Sequence, residues 1–399
     1  MPENKKKTLN ELAIFGGAPL FKTTLHVGRP NIMDRDAVIS RINQAMDRHW
    51  LSNDGPLVKE IEDRFADFLQ VKHCIAVTNA TMGLQLSAKA LNVTGEVIIP
   101  SFTFIGTAHA MAWIGLKLVF CDVLSGNHNI DPADVEKRIT ESVGAIVGVH
   151  LWGRACEIDT LQELADRYGI PLIFDAAHAI GSTYKNKRLG GFGNVSVFSL
   201  HATKAINSLE GGLVTTNDDA LADKIRLLRS YGFEDEDQVS MLGINAKMNE
   251  FSAAMGITNL EGYDRIRSHN RHLQVVYRDE LSGIEGVNFI QPDEREENNY
   301  HYAVMEVGQG SCIRRDSLYR VLVAENVYVR RYFRPGCHRS LPYKISKKNG
   351  YLPITERLSA TLLQLPTGLQ MDLDKARALS RLIHFCLVNG AEIESRLCA

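Results

Sequence analysis

An α/β fold, built on a mostly parallel sheet with helices on both faces, is what this 399-residue chain predicts. Three observations carry the prediction. From Cys74 to Asp175, short apolar runs alternate with amphipathic stretches, the strand–helix–strand rhythm that lays strands parallel. The apolar runs show little polar alternation, as expected where both faces of a strand are covered. The length exceeds what one hydrophobic core usually supports, so a smaller second domain is expected beside the first.

The elements follow in order. Helical periodicity begins near Asp34 and runs toward Trp50. Leu51 to Gly55 is a loop, and Pro56 is placed to open a helix. In that helix Val58, Ile61, Phe65 and Leu69 form one stripe, with Lys59, Glu62, Asp63 and Asp67 outside it. Strands are expected at Cys74 to Thr78, Val97 to Ile99, Leu118 to Asp122, Ala145 to Val149 and Leu172 to Asp175. Helices at Thr81 to Leu91, Thr103 to Gly115 and Asp159 to Tyr168 lie among them. Phe198 to Leu200 and Leu213 to Thr216 read as short strands, because aromatic and β-branched residues are bounded by Gly and polar turn residues. Further helices are expected at Ala220 to Leu228, Asn249 to Leu260 and Val275 to Leu281. Strands follow at Ala303 to Val307 and Val327 to Val329, and Ser359 to Val388 reads as helix in two pieces separated near Pro366. The expected division is an N-terminal segment (1–50), a large α/β domain (51–260) and a small C-terminal domain (261–399).

Composition excludes several classes. Hydrophobic residues at 45%, charged residues at 23% and a formal net charge of −2 describe an ordinary globular protein with no basic excess for nucleic acid or an anionic membrane. The seven cysteines have no C-x-x-C spacing, which disfavours a disulfide framework and a zinc ribbon and fits reduced thiols in a cytoplasmic compartment. No stretch approaches the roughly 20 apolar residues of a spanning helix, and the lysine-rich start, residues 1–10, is not followed by a long apolar run.

Four stretches carry candidate chemistry. Lys204 falls in the turn between the two strands at 198–200 and 213–216. A lysine held on a rigid, partly desolvated turn loses some preference for its ammonium form, and the neutral amine can attack an aldehyde, which is how pyridoxal phosphate is anchored. The plain alternative is a solvated turn lysine. Asp175 ends a parallel strand, where ligands of open α/β sheets bind, and a carboxylate there can keep a pyridine nitrogen protonated. His178, three residues on, is either a partner for the ring hydroxyl or a core imidazole satisfied by backbone. Thr78 to Gly83 joins a strand end to a helix start, whose unpaired N–H groups suit a phosphate, or which Asn79 or Thr81 simply caps. Phe102 and Phe104 follow a third strand end and offer a ring for stacking or for the core. The glycines around Gly191 lack G-x-G-x-x-G, and no G-x-x-x-x-G-K-[ST] occurs, so nicotinamide binding and ATP hydrolysis are disfavoured. His178 and His201 lack the acidic or cysteine partners of a metal site.

With these stretches assembled, the chain resembles the DegT/DnrJ family of sugar aminotransferases over residues 14–390. The motifs are Trp50-Leu51-Ser52-Asn53-x-Gly55-Pro56, Pro100-Ser101-Phe102-Thr103-Phe104, His150-Leu151-Trp152-Gly153, Phe174-Asp175-Ala176-Ala177-His178-Ala179, Phe198-Ser199-x-His201-Ala202-Thr203-Lys204, Asn245-x-Lys247-Met248-x-Glu250 and Pro335-Gly336-x-His338. The resemblance implies a fold-type I pyridoxal phosphate-dependent transferase with a seven-stranded sheet and a smaller α+β C-terminal domain. It implies Lys204 as the cofactor's anchor, Asp175 at the ring nitrogen and His178 near the ring hydroxyl. Phosphate contacts from Ala80, Thr81 and Ser199, ring stacking by Phe104, and Asn245 donated by the partner subunit of a homodimer are implied as well. Sharing is also expected because Asn245-x-Lys247-Met248 looks hard to bring back to its own phosphate site.

Within that family the chain is similar to 4-aminotransferases acting on dTDP-4-dehydro-6-deoxyglucose, although Leu200, Arg331 and Arg334 depart from that pattern. The expected reaction is transfer of an amino group from L-glutamate to the ketosugar. A 3-aminotransferase and a cofactor-binding sensor without turnover are the other readings. A cofactor-retaining dehydratase of the same family would usually have histidine where Lys204 stands. Arg330, His338 and His201 are the candidate substrate contacts, because a diphosphate can be met by paired guanidinium donors.

Overall fold

The computed structural model describes residues 5–344 and 350–398, so residues 1–4 of the lysine-rich start lie outside it. Its centre is a seven-stranded sheet of β1 (His73–Val77), β2 (Glu96–Pro100), β3 (Lys117–Cys121), β4 (Val143–Val149), β5 (Leu172–Asp175), β6 (Val195–Ser199) and β7 (Gly212–Thr216). The order across it is β1-β7-β6-β5-β4-β2-β3. Only β7 runs antiparallel to its neighbours, pairing Leu213 with Ala76 on one side and with Phe198 on the other. The expected mostly parallel α/β sheet is therefore present.

Alternation along a strand sends successive side chains to opposite faces. In β4, Ile146 joins one apolar cluster while its neighbours Ala145 and Val147 join another across the sheet. Helices cover both faces: α1 (Arg35–Asp47) and α2 (Pro56–Leu69) pack on α8 (Glu250–Glu261), while α3 (Ala80–Ala90) packs on α4 (Ile105–Trp113) and α7 (Asp219–Arg229). Between them in sequence are α5 (Pro132–Arg138) and α6 (Ile158–Tyr168). The start of α2 is held from far away in sequence: the fully buried Glu250 accepts the N–H groups of Leu57 at 3.0 Å and Val58 at 2.8 Å. These are first-turn donors with no partner inside their own helix.

A second layer is built on a three-stranded antiparallel sheet, β8 (Val287–Phe289), β9 (Ala303–Val307) and β10 (Leu362–Leu365), with β9 in the middle. The helix expected at Val275 to Leu281 is the end of the longer α9 (Tyr263–Leu281), which packs on α12 (Leu373–Val388), with α10 (Arg315–Ala324) between them in sequence. The reading of Ser359 to Val388 as two helices is corrected, because β10 stands between α11 (Pro353–Thr361) and α12. Leu362, Leu363 and Leu365 are buried, and a short apolar run of this kind carries no periodicity to tell strand from helix. Leu9, Leu12, Leu20 and Leu25 join the apolar cluster of this layer, and Leu25–His26 pairs in parallel with Val327–Tyr328. Among the described residues no helix is long and apolar enough to cross a membrane.

Replacing Glu250 with alanine strands two buried backbone donors. Hydrogen bonds to charged groups contribute roughly 1.5–3 kcal/mol each, so losing both in Glu250→Ala should lower unfolding stability by about 3–6 kcal/mol. Urea denaturation reads this directly, and a loss under about 0.5 kcal/mol would rule out the bridge as a support of α2.

Candidate active site

The candidate residues meet at the C-terminal edge of the parallel strands. Asp175, the last residue of β5, is 5% exposed. Its Oδ2 accepts from Thr107 Oγ1 at 2.7 Å, and its Oδ1 from the Ala177 N–H at 3.0 Å. Burial raises its pKa, while these two hydrogen bonds and the charge of Lys204 work against the rise. Lys204 sits in the turn between β6 and β7, where its backbone N–H donates to the His201 carbonyl at 2.9 Å. Its Nζ donates to Tyr302 Oη at 3.0 Å. Burial lowers its pKa to about 8, with Asp175 opposing the shift and Arg330 adding to it.

His178 is buried in an aromatic stack, its ring 4.1 Å from that of Tyr302 and 5.7 Å from that of Trp152. Its Nδ1 accepts the Trp152 backbone N–H at 3.3 Å, which leaves Nε2 as the protonated nitrogen of the neutral ring. Burial, followed by the charge of Lys204, lowers its pKa well below the usual value and keeps it neutral. Trp152 reaches this position through a left-handed backbone at φ 59°, a conformation that costs a bulky residue about 1–2 kcal/mol. Gly153 follows at φ 78°, and a Cβ there would lie 2.9 Å from Asn299 Oδ1 and 3.1 Å from the His178 carbonyl oxygen.

The start of α3 lies at the same edge. Asn79 caps it through the Met82 N–H at 2.9 Å, so the capping reading of Asn79 holds. The N–H groups of Ala80 and Thr81 and the Thr81 hydroxyl have no partner among the described residues. Capping and anion binding are thus compatible here. The Phe104 ring is 57% exposed just before α4. A Cβ on Gly106 would lie 3.0 Å from the Phe104 ring and 3.6 Å from Thr81 Oγ1, so the ring and the hydroxyl border one small residue. Ser199 ends β6 and accepts the His201 N–H at 3.3 Å.

The remaining candidates divide. Arg330 makes no ion pair among the described residues, lies 5.7 Å from the Tyr332 ring centroid, and is close enough to depress the pKa of Lys204. Arg331 and Arg334, in contrast, turn to Asp316 at 3.1 and 3.7 Å. His201 is partly exposed at the mouth, with Nδ1 2.8 Å from Thr203 Oγ1 and Nε2 3.4 Å from Glu210. His338 is 2% exposed, with Nδ1 2.6 Å from Ser101 Oγ and Nε2 3.3 Å from Glu356. Both ring nitrogens are engaged, which makes it a tie between two segments.

Asn245 is exposed, but its neighbours are not remote from their own chain's phosphate-type turn. Lys247 bridges Val77, and the Ala246 carbonyl accepts the Thr78 N–H at 2.9 Å. The expectation that this segment is hard to bring back is therefore corrected. Tyr302, Trp152 and Thr107 touch the cluster without having been marked as functional in the sequence. Among the described residues no group of three or more His, Cys, Asp and Glu is placed to hold a metal ion.

An amine near neutrality, a buried carboxylate, a neutral imidazole and a free helix start at one sheet edge suit a cofactor-dependent transferase, and comparison with known proteins agrees. Residues 33–383 match the DegT/DnrJ/EryC1/StrS aminotransferase family. The solved structure of DesI in the presence of its TDP-sugar product superposes with a TM-score of 0.95 at 44% identity, covering 98% of this chain and 100% of that one. The dTDP-4-amino-4,6-dideoxy-D-glucose transaminase of Escherichia coli is 32% identical over 86% of this chain and 93% of its own. GDP-perosamine synthase of Caulobacter vibrioides is 34% identical over 86% and 94%. The chain is a sugar aminotransferase and belongs to the DegT/DnrJ/EryC1/StrS aminotransferase family.

Proposed function

We propose that this aminotransferase holds pyridoxal phosphate on Lys204 and transfers the amino group of L-glutamate to C4 of dTDP-4-dehydro-6-deoxyglucose, forming dTDP-4-amino-4,6-dideoxyglucose. The observation that carries the reading is geometric: Lys204, its Nζ held by Tyr302 Oη at 3.0 Å, lies in the turn after β6, next to the strand that ends in the buried Asp175, and burial there lowers the amine to about 8. The choice of sugar and carbon rests on the E. coli relative's name and on the likeness to DesI.

The donor set fits the cofactor. Ala80 N–H, Thr81 N–H and Thr81 Oγ1, with Ser199, suit a phosphate at a helix start, and Phe104 offers a ring face next to them. When bound, the cofactor supplies an electron-poor ring that delocalises the charge left on breaking a C–H bond beside the amino nitrogen. Asp175 keeps a proton on the ring nitrogen, a cation that replaces the solvent its carboxylate has lost. His178 donates from Nε2 to the ring hydroxyl. Lys204 Nζ, steadied by Tyr302, moves the proton at the reacting carbon. Arg330, without an ion pair among the described residues and near enough to the lysine to lower its pKa, would meet the sugar's diphosphate.

A homodimer with Asn245 serving the partner's phosphate site completes the proposal. Its support is the family likeness together with large apolar side chains left in solvent, among them Met46, Trp50, Leu51, Phe233 and the 96%-exposed Leu242. Apolar surface of this kind marks association faces.

Three outcomes are expected. In competitive labelling of the cofactor-free protein with a trace of acetic anhydride, Lys204 should titrate with a midpoint near pH 8. Arg330→Ala should raise that midpoint, because a like charge is removed, and Asp175→Asn should lower it, because an opposite charge is removed; a midpoint near the ordinary lysine value of about 10.4 would contradict the site. With glutamate and dTDP-4-dehydro-6-deoxyglucose, NMR should find nitrogen on C4, and Arg330→Ala should raise KM for the sugar about tenfold or more while leaving the glutamate half-reaction nearly unchanged. Amination at C3, or turnover only with the GDP-linked sugar, would displace the substrate assignment. Mixing inactive Lys204→Ala and Asn245→Asp proteins should restore part of the activity through heterodimers. No recovery despite subunit exchange would mean that Asn245 serves its own chain.

A further inference from the structure

Behind the aromatic wall of the site lies a cavity of about 340 Å³, between α9 and the segment running from Phe289 to Val304. Its volume is at the lower end of the range of small-molecule sites, roughly 300–1,000 Å³. Phe289, Ile290, Pro292 and Tyr300 give it an apolar, largely aromatic lining, and three arginines, Arg154, Arg271 and Arg278, give it charge.

The carboxylates around this cavity are already committed. Glu296 pairs with Arg154, and Asp293 pairs with Arg295 at 2.6 Å. Arg271 and Arg278 have no carboxylate within ion-pair distance among the described residues. They lie instead against aromatic rings, Arg271 5.8 Å from the Tyr300 centroid and Arg278 5.6 Å from that of Phe289. Arg278 spends one donor on the Ile290 carbonyl at 2.6 Å. Partial burial, then the like charge of Arg154, makes its own charge costly, the situation an incoming anion relieves. Arg154 is 8% exposed, and its Nε is a buried donor with no hydrogen-bond partner. Buried polar groups are nearly always satisfied, so an unpaired donor on the wall of a cavity calls for an acceptor.

We infer that this cavity is a second ligand site, taking a flat aromatic anion of nucleoside monophosphate size, with the base against the aromatic lining and offering a carbonyl oxygen to Arg154 Nε, and the phosphate between Arg271 and Arg278. Guanidinium groups suit phosphate through paired donors, and rings stacked on arginine hold those donors in a fixed plane. The site is separate from the arginine proposed for the substrate, Arg330, which does not line it. It shares a wall with the reaction centre, however. Trp152 and Tyr302 line the cavity and also stack on His178, and Tyr302 Oη holds Lys204 Nζ. A ligand pressing on that wall would act on the catalytic cluster without entering it.

The test is calorimetric titration of the cofactor-loaded protein with thymidine 5′-monophosphate, followed in parallel by intrinsic tryptophan fluorescence. One molecule should bind per chain, thymidine without the phosphate should bind at least tenfold more weakly, and Arg330→Ala should leave binding within about twofold. Arg278→Ala should weaken binding at least tenfold. Val275→Trp, at a half-exposed position on the rim, should block it by bulk and serves if the arginine variant is unstable. The idea is overturned if nothing binds, or if Arg330→Ala abolishes binding while Arg278→Ala and Val275→Trp leave it intact, since the nucleotide would then occupy the substrate's place. Binding lost in the presence of saturating nucleotide sugar would overturn it as well.

Discussion

Lys204, partly buried, and Asp175, 5% exposed, ionise against each other at one edge of the sheet. Burial pushes the amine down and the carboxyl up, and each group partly opposes the other's shift. Opposite charges taken out of water together need further partners, or one of them neutralises. Thr107, the Ala177 N–H and Tyr302 are those partners here. The pair so held, an amine lowered to about 8 by burial and a buried carboxylate, suits the pyridoxal phosphate proposed above.

Much of the fold exists to bring those partners to one edge. Asp175 and Ser199 end adjacent strands, and Thr107 comes from the helix after β2. Tyr302 immediately precedes β9 of the second sheet, so the lysine's only described side-chain hydrogen bond spans the two layers. Movement between those layers would change the lysine's surroundings. The N-terminal segment adds a tie, with Leu25–His26 paired to Val327–Tyr328 just ahead of Arg330.

The parts of this arrangement that are local in sequence were legible before any coordinates. A short apolar run ending in Asp175 announces a strand end, and Asn79 to Gly83 announces a helix start. Contacts made across long sequence distances were not legible. Tyr302 lies 98 residues from Lys204, and nothing in its own neighbourhood marks it as a partner. The partner of His338 Nδ1, Ser101, stands 237 residues away and is likewise invisible in the motif. Asn245 looked remote because a turn between Phe233 and Val239 that returns the chain to β1 has no strong signature. The strand at Leu362–Leu365 was lost for a different reason, since four apolar-rich residues fit either periodicity.

The most direct measurement of the central claim is to reduce the protein with borohydride in the presence of pyridoxal phosphate and to map the resulting mass adduct by peptide sequencing. One pyridoxyl group per chain is expected, on Lys204, and none on the Lys204→Ala protein, whose fold is verified by its circular dichroism. An adduct of equal yield on another lysine, or its persistence in Lys204→Ala, would contradict the assignment of this amine as the cofactor's anchor.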